Sequence, residues 1–300
     1  TGASIASGIF ENAGSTNLGF DSGIFLTNGS GFLIPGPNNT SSAGASNGLT
    51  GGGPWWPNSF DPSLLEFDVI PDADTILVKY VFGSEEYNEW VNASFTDFFG
   101  IYISGPNPAG GSYGNEIFSL VPGTTTPVGI NTVNNGHAAP GIIPTGPCTN
   151  CEYFADNTGG MTLQYDAFTT VLTAVIPVVP CEEYHMALFI ADAEDGIYDS
   201  GFFIEENGLS SPGKSIETEV QLIPPGLTEH MVEGHVAADL IFRLDDPSNA
   251  PLSVSFEFWG TAVPLAYPGG DFIEDIPTII NFGEGQDSVA LNINAVADGI

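Results

Sequence analysis

The stretch YHMALFIADAEDGIYDSGFFIEE, residues 184–206, decides the reading of the chain. YHMALFIA (184–191) and FFIEE (202–206) are short apolar runs of strand length, and no helical spacing of apolar positions connects them. Between them lie Asp192, Glu194, Asp195 and Asp199, with Glu205 close behind and no Lys or Arg inside the stretch. Crowded like charges repel, and moving them out of water without a partner is expensive. The link is therefore either a solvated acidic loop or one wall of a cation site.

Working outward, ILVKYVF (76–82), FFGIYI (98–103) and VLTAVIPVV (171–179) read as further strands. GIFLT and GFLIP are shorter ones, set in an opening of 60 residues rich in Gly, Ser, Asn and Pro. SSPGKS (210–215) has the composition of a linker. Beyond it, SIETEVQL, VAADLIFRL, LSVSFEFWG and SVALNINAV place apolar residues at every second position, as half-buried antiparallel strands do. The expectation is an all-β chain of two domains: an irregular β-sandwich-type domain over 1–211 and a second β-sandwich over 212–300.

The 300 residues hold 37 Asp and Glu against 3 Lys and Arg (Lys79, Lys214, Arg243), a formal net charge of −34. With 42% hydrophobic residues and 21 Phe, the chain has the apolar surface to offset the entropy of ordering, unlike a disordered acidic tail. A fold this acidic repels itself and calls for cations that its own side chains scarcely supply. Nucleic acid is excluded as a partner because phosphate binding needs basic side chains. An anionic membrane surface is excluded by charge, and no apolar run is long enough to cross a bilayer. The chain starts at Thr1 without Met, which reads as removal of a leader or as trimming.

A second acidic group lies in FGSEEYNEWVNASFTDFFGIYISGP, residues 82–106, where Glu85 and Glu86 follow one strand and Asp97 precedes the next. Hard oxygen ligands delivered from strand ends suit Ca2+, which takes six to eight oxygens. The 190–205 loop is no EF-hand: Gly196 comes one position early and Phe203 stands where the bidentate Glu belongs. Paired carboxylates would also serve a glycosidase, provided they stand about 5–9.5 Å apart in a cleft. GASNG (44–48) matches a nucleophile elbow around Ser46 in letters only, since no strand precedes it and no helix follows.

Three cysteines fit an oxidising compartment with one disulfide, Cys181 to Cys148 or Cys151, and one thiol left over. Cys148, Cys151, Cys181 and His185 also have the ligand types of a structural zinc site. His137, His230 and His235 have no catalytic partners in the sequence. Asn28, Asn38, Asn39 and Asn92 begin glycosylation sequons, which matter only in a source that glycosylates. Trp55 and Trp56, in GGGPWWPNSF, are the best candidates for a carbohydrate-stacking surface, against the alternative of a loop tucked onto the sheet.

GFDSGIFLTNG, FGSEEYNEW with FTDFFGIYISGP, PVGINTVNNG, YFADN, YDAFTTVLTA and CEEYHMALFIADAEDGIYDSGFFIE occur in an order that resembles the choice-of-anchor L domain over about 1–207. That resemblance implies a module of secreted, multidomain surface proteins, mostly of the Bacteroidota, with no catalytic residues to carry over. It does carry over the acidic positions Glu85, Glu86, Asp97, Asp192, Asp195 and Asp199 as the candidate Ca2+ ligands. MVEGHVAADLIFRLDDPSNAPLSVSFEFWGTA, GGDFIED and INFGEGQDSVALNINAVADGI resemble a Calx-β domain, an immunoglobulin-like sandwich with calcium ligands at one end in some members. Its matching positions are Glu233, Asp271, Asp275 and Asp298. Ala297 interrupts the acidic run that calcium-binding members carry.

A Calx-β repeat ordinarily continues past DGI into a last strand. A sandwich without it offers a groove to a neighbour's strand. TGASIASGIF puts Ala3, Ile5 and Ile9 at alternate positions, as a donor strand would. The expected function is a secreted, calcium-stabilised structural or adhesive surface protein, not an enzyme, with other copies of itself, surface proteins or glycans as partners. Fibre assembly by strand donation is one form of this reading. A carbohydrate-binding adhesin module and a glycoside hydrolase are its alternatives.

Overall fold

In ILVKYVF every second side chain, Ile76, Val78, Tyr80 and Phe82, is buried in one core, while Val81 enters another on the opposite face. A strand covered on both sides in this way must lie in the middle of a sheet with layers above and below. The computed structural model describes residues 3–52, 56–94, 96–193, 196–212, 216–223, 237–244, 252–255 and 277–294. The chain divides into two compact units, Thr1–Pro212 and Gly213–Ile300. Among the described residues strands dominate both, and the helical segments are three single 3-10 turns.

The first unit contains β1 (Ser7–Phe10), β2 (Gly23–Thr27), β3 (Thr50–Gly52), β4 (Trp56–Val69), β5 (Thr75–Ser84) and β6 (Phe98–Pro106). It continues with β7 (Ser112–Ile117), β8 (Phe154–Asp156), β9 (Ala167–Thr169), β10 (Leu172–Pro177), β11 (Tyr184–Asp192) and β12 (Ser200–Ser210). Seven of these form an antiparallel sheet in the order β1-β2-β12-β5-β9-β8, with β10 also paired to β5. The other five form a sheet in the order β3-β4-β11-β6-β7. YHMALFIA and FFIEE therefore belong to different sheets, and the acidic link between them passes from one layer to the other.

The two sheets pack face to face. Ile76, Val78, Tyr80, Phe82 and Phe202 of the first sheet share a core with Phe99, Ile101, Met186 and Leu188 of the second. Phe82 stacks on Phe99 with ring centroids 4.4 Å apart, and Phe202 tilts against Phe99 at 5.2 Å. Burying side chains of this size contributes roughly 1.5–3 kcal/mol each. The outer face of the seven-stranded sheet is covered by a smaller cluster of Leu18, Phe20, Ile34, Val81, Leu163, Tyr165, Phe168 and Phe203. The expectation of an all-β, sandwich-type fold is met.

The second unit contains β13 (Ile216–Ile223), β14 (Ala237–Leu244), β15 (Leu252–Ser255), β16 (Ile279–Phe282) and β17 (Ser288–Asn294). β13, β14 and β17 form one antiparallel sheet, and β15 pairs with β16 in another. Phe242 and Leu244 of the first pack with Ile280 and Phe282 of the second, joined by Leu252, Val254, Val289 and Leu291.

Candidate functional site

Antiparallel register brings the acidic positions to one end of the first unit. In the seven-stranded sheet Gly201 pairs with Thr27, and Ser200 with Ser84. Asn28 after β2, Glu85 after β5 and Asp199 before β12 therefore leave the sheet side by side. In the other sheet Ala191 pairs with Phe98, which sets Asp192, the last residue of β11, beside Asp97, just before β6.

The two strand ends meet through hydrogen bonds. Asn28 donates its side-chain amide to Asp97 Oδ2 at 2.7 Å and also to Asp192 Oδ1. Asn28 Oδ1 accepts the Ser200 N–H at 2.6 Å, which fixes which way the amide points. Ser200 Oγ donates to Asp97 Oδ2 at 2.6 Å. The Asp97 N–H reaches Glu86 at 3.0 Å. Residues 43–48 cross over the group as a strap. Ala43 N–H donates to Glu85 Oε2 at 3.0 Å, Ala45 N–H to Asp199 Oδ1 at 3.0 Å, and Ser46 Oγ to Asp61 Oδ1 at 2.9 Å.

Asn28, Glu85, Glu86, Asp97, Asp192, Asp199 and Asp61 are all buried. Lys79 pairs with Glu205, His185 with Glu66 and Asp68, and Arg243 with Glu219, all away from Glu85, Asp97, Asp192 and Asp199. The carboxyls respond as uncompensated charges must. Burial pushes Asp97 and Asp192 upward together, Asp192 further because it also feels Asp97, Asp199, Asp61 and Glu86. Burial raises Asp199 to about 7 against the pull of the Ala45 and Ser30 N–H groups. Glu85 is pushed up to about 9 by burial and then by the charge of Asp166.

Of the six positions expected to hold Ca2+, Glu85, Glu86, Asp97, Asp192 and Asp199 come to this one buried end, and Asp195 lies outside the described residues. Among the described residues no three Asp, Glu, His or Cys side chains already converge as a metal cage. Amide and hydroxyl donors stand between the oxygens instead. Sequence reasoning missed Asp61, which is brought in by the bulge where β4 pairs with Asp192, and the bridging role of Asn28. Glu233, Asp271, Asp275 and Asp298 lie outside the described residues.

Three expectations are corrected. The disulfide joins Cys148 to Cys151, not either of them to Cys181, which is free and exposed. The 3-10 turn Cys151–Tyr153, entered through Asn150 in the left-handed conformation, folds Cys151 back to within 5.5 Å of Cys148 Cα to Cα. The Cys181 N–H is meanwhile tied to the Pro71 carbonyl. The alternative Cys/His zinc site is not assembled either, because His185 Nδ1 pairs with Asp68 at 2.8 Å. Asn28 is wholly buried with its amide engaged, so it is no glycan acceptor in the folded chain. Asn39 and Asn92 are exposed, and Asn38 directs its amide to Asp166.

Ala3 and Ile5 precede β1, where Ile9 sits as an edge-strand residue paired with Ile24 of the same chain and is 77% exposed. Trp55 lies outside the described residues, and Trp56 is described only as a backbone position in β4.

Among known families, the model of the choice-of-anchor L domain matches residues 1–210. No curated protein and no solved structure matches the chain. Among the described residues no helix is long and apolar enough to cross a membrane.

Proposed function

The chain belongs to the choice-of-anchor L family, and from that premise we propose that it is a structural or adhesive surface module locked by calcium. The family places it among surface-associated or secreted proteins. The observation that carries the calcium reading is the burial of Glu85, Asp97, Asp192 and Asp199 at one end of the sandwich, beside the buried Glu86, with Lys79 and Arg243 engaged by Glu205 and Glu219 elsewhere. The donor set is all hard oxygen, with carboxylates and an amide carbonyl and no sulfur or imidazole, which suits Ca2+. Calcium would supply the counter-charge that binds the two sheets together here, and these five residues with Asp195 would hold it. The chain's own residues meanwhile orient the carboxyls through Asn28, Ser200 and the strap.

Glu85 and Glu86 are buried, Glu85 with its carboxylate bonded to the strap, which favours a structural role over glycoside hydrolysis. For residues 213–300 we infer a Calx-β-like sandwich, supported by two small sheets sharing a core around Phe242 and Phe282. As partners we infer further copies of the chain or other surface proteins and glycans, with strand donation by the Ala3–Ile9 segment as the route to a fibre.

Thermal melting in EDTA and after calcium re-addition tests the reading. Calcium should raise the melting temperature of the wild type, and Asp97→Asn with Asp192→Asn should reduce that increment. Superimposable curves with and without calcium would overturn it.

A further inference from the structure

Beside the Asn28 network, a second group of oxygens is left without hydrogen-bond partners. They are Glu85 Oε1, Asn88 Oδ1, both carboxylate oxygens of Glu89, and Asp166 Oδ2, each shielded from water. Glu85 is 0%, Asn88 4% and Asp166 5% exposed. Buried polar atoms are nearly always paired, and leaving a carboxylate oxygen unpaired costs several kcal/mol. Several such atoms in one corner of a fold call for an explanation.

The topology explains why they are neighbours. β5 and β9 pair with Ser84 opposite Ala167, so Glu85 and Asp166 leave that ladder at adjacent positions. Glu89 follows in the turn after β5, and both glutamates feel the Asp166 charge as well as their own burial. Two of the three carboxylates are held by one oxygen only. Glu85 Oε2 accepts the Ala43 N–H, and Asp166 Oδ1 accepts the Asn38 amide at 2.9 Å. The Gln164 amide donates one N–H to the Thr40 carbonyl at 2.9 Å and lies near Glu85, where it holds back the upward shift without reaching Oε1 in hydrogen-bond geometry. The backbone N–H groups of Asn88 and Glu89 lie near the Glu89 carboxylate and hold back its upward shift, but neither carboxylate oxygen accepts a hydrogen bond.

We propose that Glu85, Glu89 and Asp166, with the Asn88 side-chain carbonyl, form a second site for a hard divalent cation at the corner between β5 and β9. The donors are oxygen alone, one oxygen of Glu85 and one of Asp166 are already oriented by a neighbour, and the remaining oxygens have nothing else to bind. They do not yet form a closed cage, so binding draws the carboxylates together. This site goes beyond the first and shares only Glu85 with it.

The test is calorimetric titration of the full chain, stripped of metal, with Ca2+ and separately with Mg2+. Glu89→Gln combined with Asp166→Asn should bind one ion fewer per chain than the wild type. Asp97→Asn combined with Asp192→Asn should keep that ion. If the first double variant binds as many ions as the wild type with unchanged affinity, the inference is wrong while the earlier reading stands. If only the first double variant loses an ion, the inference holds and the earlier reading fails. A wild type that binds neither metal overturns both. Should the double variant not fold by far-UV circular dichroism, Glu89→Gln alone is expected to weaken one site at least tenfold, and unchanged binding by it overturns the inference.

Discussion

Asn28 donates its side-chain amide to Asp97 Oδ2 at 2.7 Å, linking the end of β2 in one sheet to the start of β6 in the other. The same amide also reaches Asp192, and its carbonyl oxygen accepts the Ser200 N–H. One neutral side chain thus ties three segments together in the middle of an anionic cluster. Asn28→Leu keeps the branched skeleton and deletes all three bonds, leaving two carboxyls without this donor. The expected loss is about 3 kcal/mol, read as a lowered urea midpoint with an unchanged slope.

Stability should also depend on pH in an unusual direction. A carboxyl raised on folding binds its proton more tightly folded than unfolded. Its contribution is complete below the unfolded pKa and is lost as pH climbs to the folded value. Asp199 is raised to about 7 and Glu85 to about 9. In EDTA, the free energy of unfolding should therefore fall from about pH 4 toward pH 9, where an ordinary acidic protein gains on leaving acid. Denaturant titrations at several pH values check this, and saturating calcium should flatten the slope.

The strap is fixed by close backbone approach at Gly44, where a Cβ would overlap the Ile197 carbonyl. Gly44→Ala should lift residues 43–48 and withdraw the Ala43 and Ala45 N–H donors from Glu85 and Asp199. We expect about 2 kcal/mol of destabilisation and faster hydrogen exchange at both amides. Unchanged exchange would show that the strap is not held there.

The core makes a separate demand. Phe99 lies against Phe82, Phe202 and Tyr80 from the opposite sheet. Phe99→Ala should cost about 3–5 kcal/mol. That loss should be the same with and without calcium, which separates packing from the charge cluster.

Much of this fold was legible because its central strands carry strong signals. ILVKYVF, FFGIYI and YHMALFIA are long apolar runs, and each is an inner strand of a sheet. β4 was not legible: Pro57 and Pro62 interrupt its pattern, and its pairing is fixed by β11 and by the bulge at Asp192. The acidic residues were readable as a set because Glu85, Asp97 and Asp199 all stand at strand ends. Asn28 and Asp61 were not, since a neutral amide in an Asn-rich loop and an aspartate between prolines carry no local mark of burial. Glu89 and Asp166 lay inside the quoted motifs FGSEEYNEW and YDAFTTV, but their convergence depends on the β5–β9 register. The cysteines misled because spacing alone does not say that Asn150 turns the chain back on itself.

The most direct test of the charge cluster is the number of protons released when calcium binds at pH 7, from calorimetry in buffers of different ionisation enthalpy. Carboxyls raised by burial and mutual repulsion hold protons at that pH and must give them up to a cation. The account therefore expects calcium binding with net proton release, smaller at pH 9 and reduced in Asp192→Asn. Binding without proton release, or no binding, would contradict it.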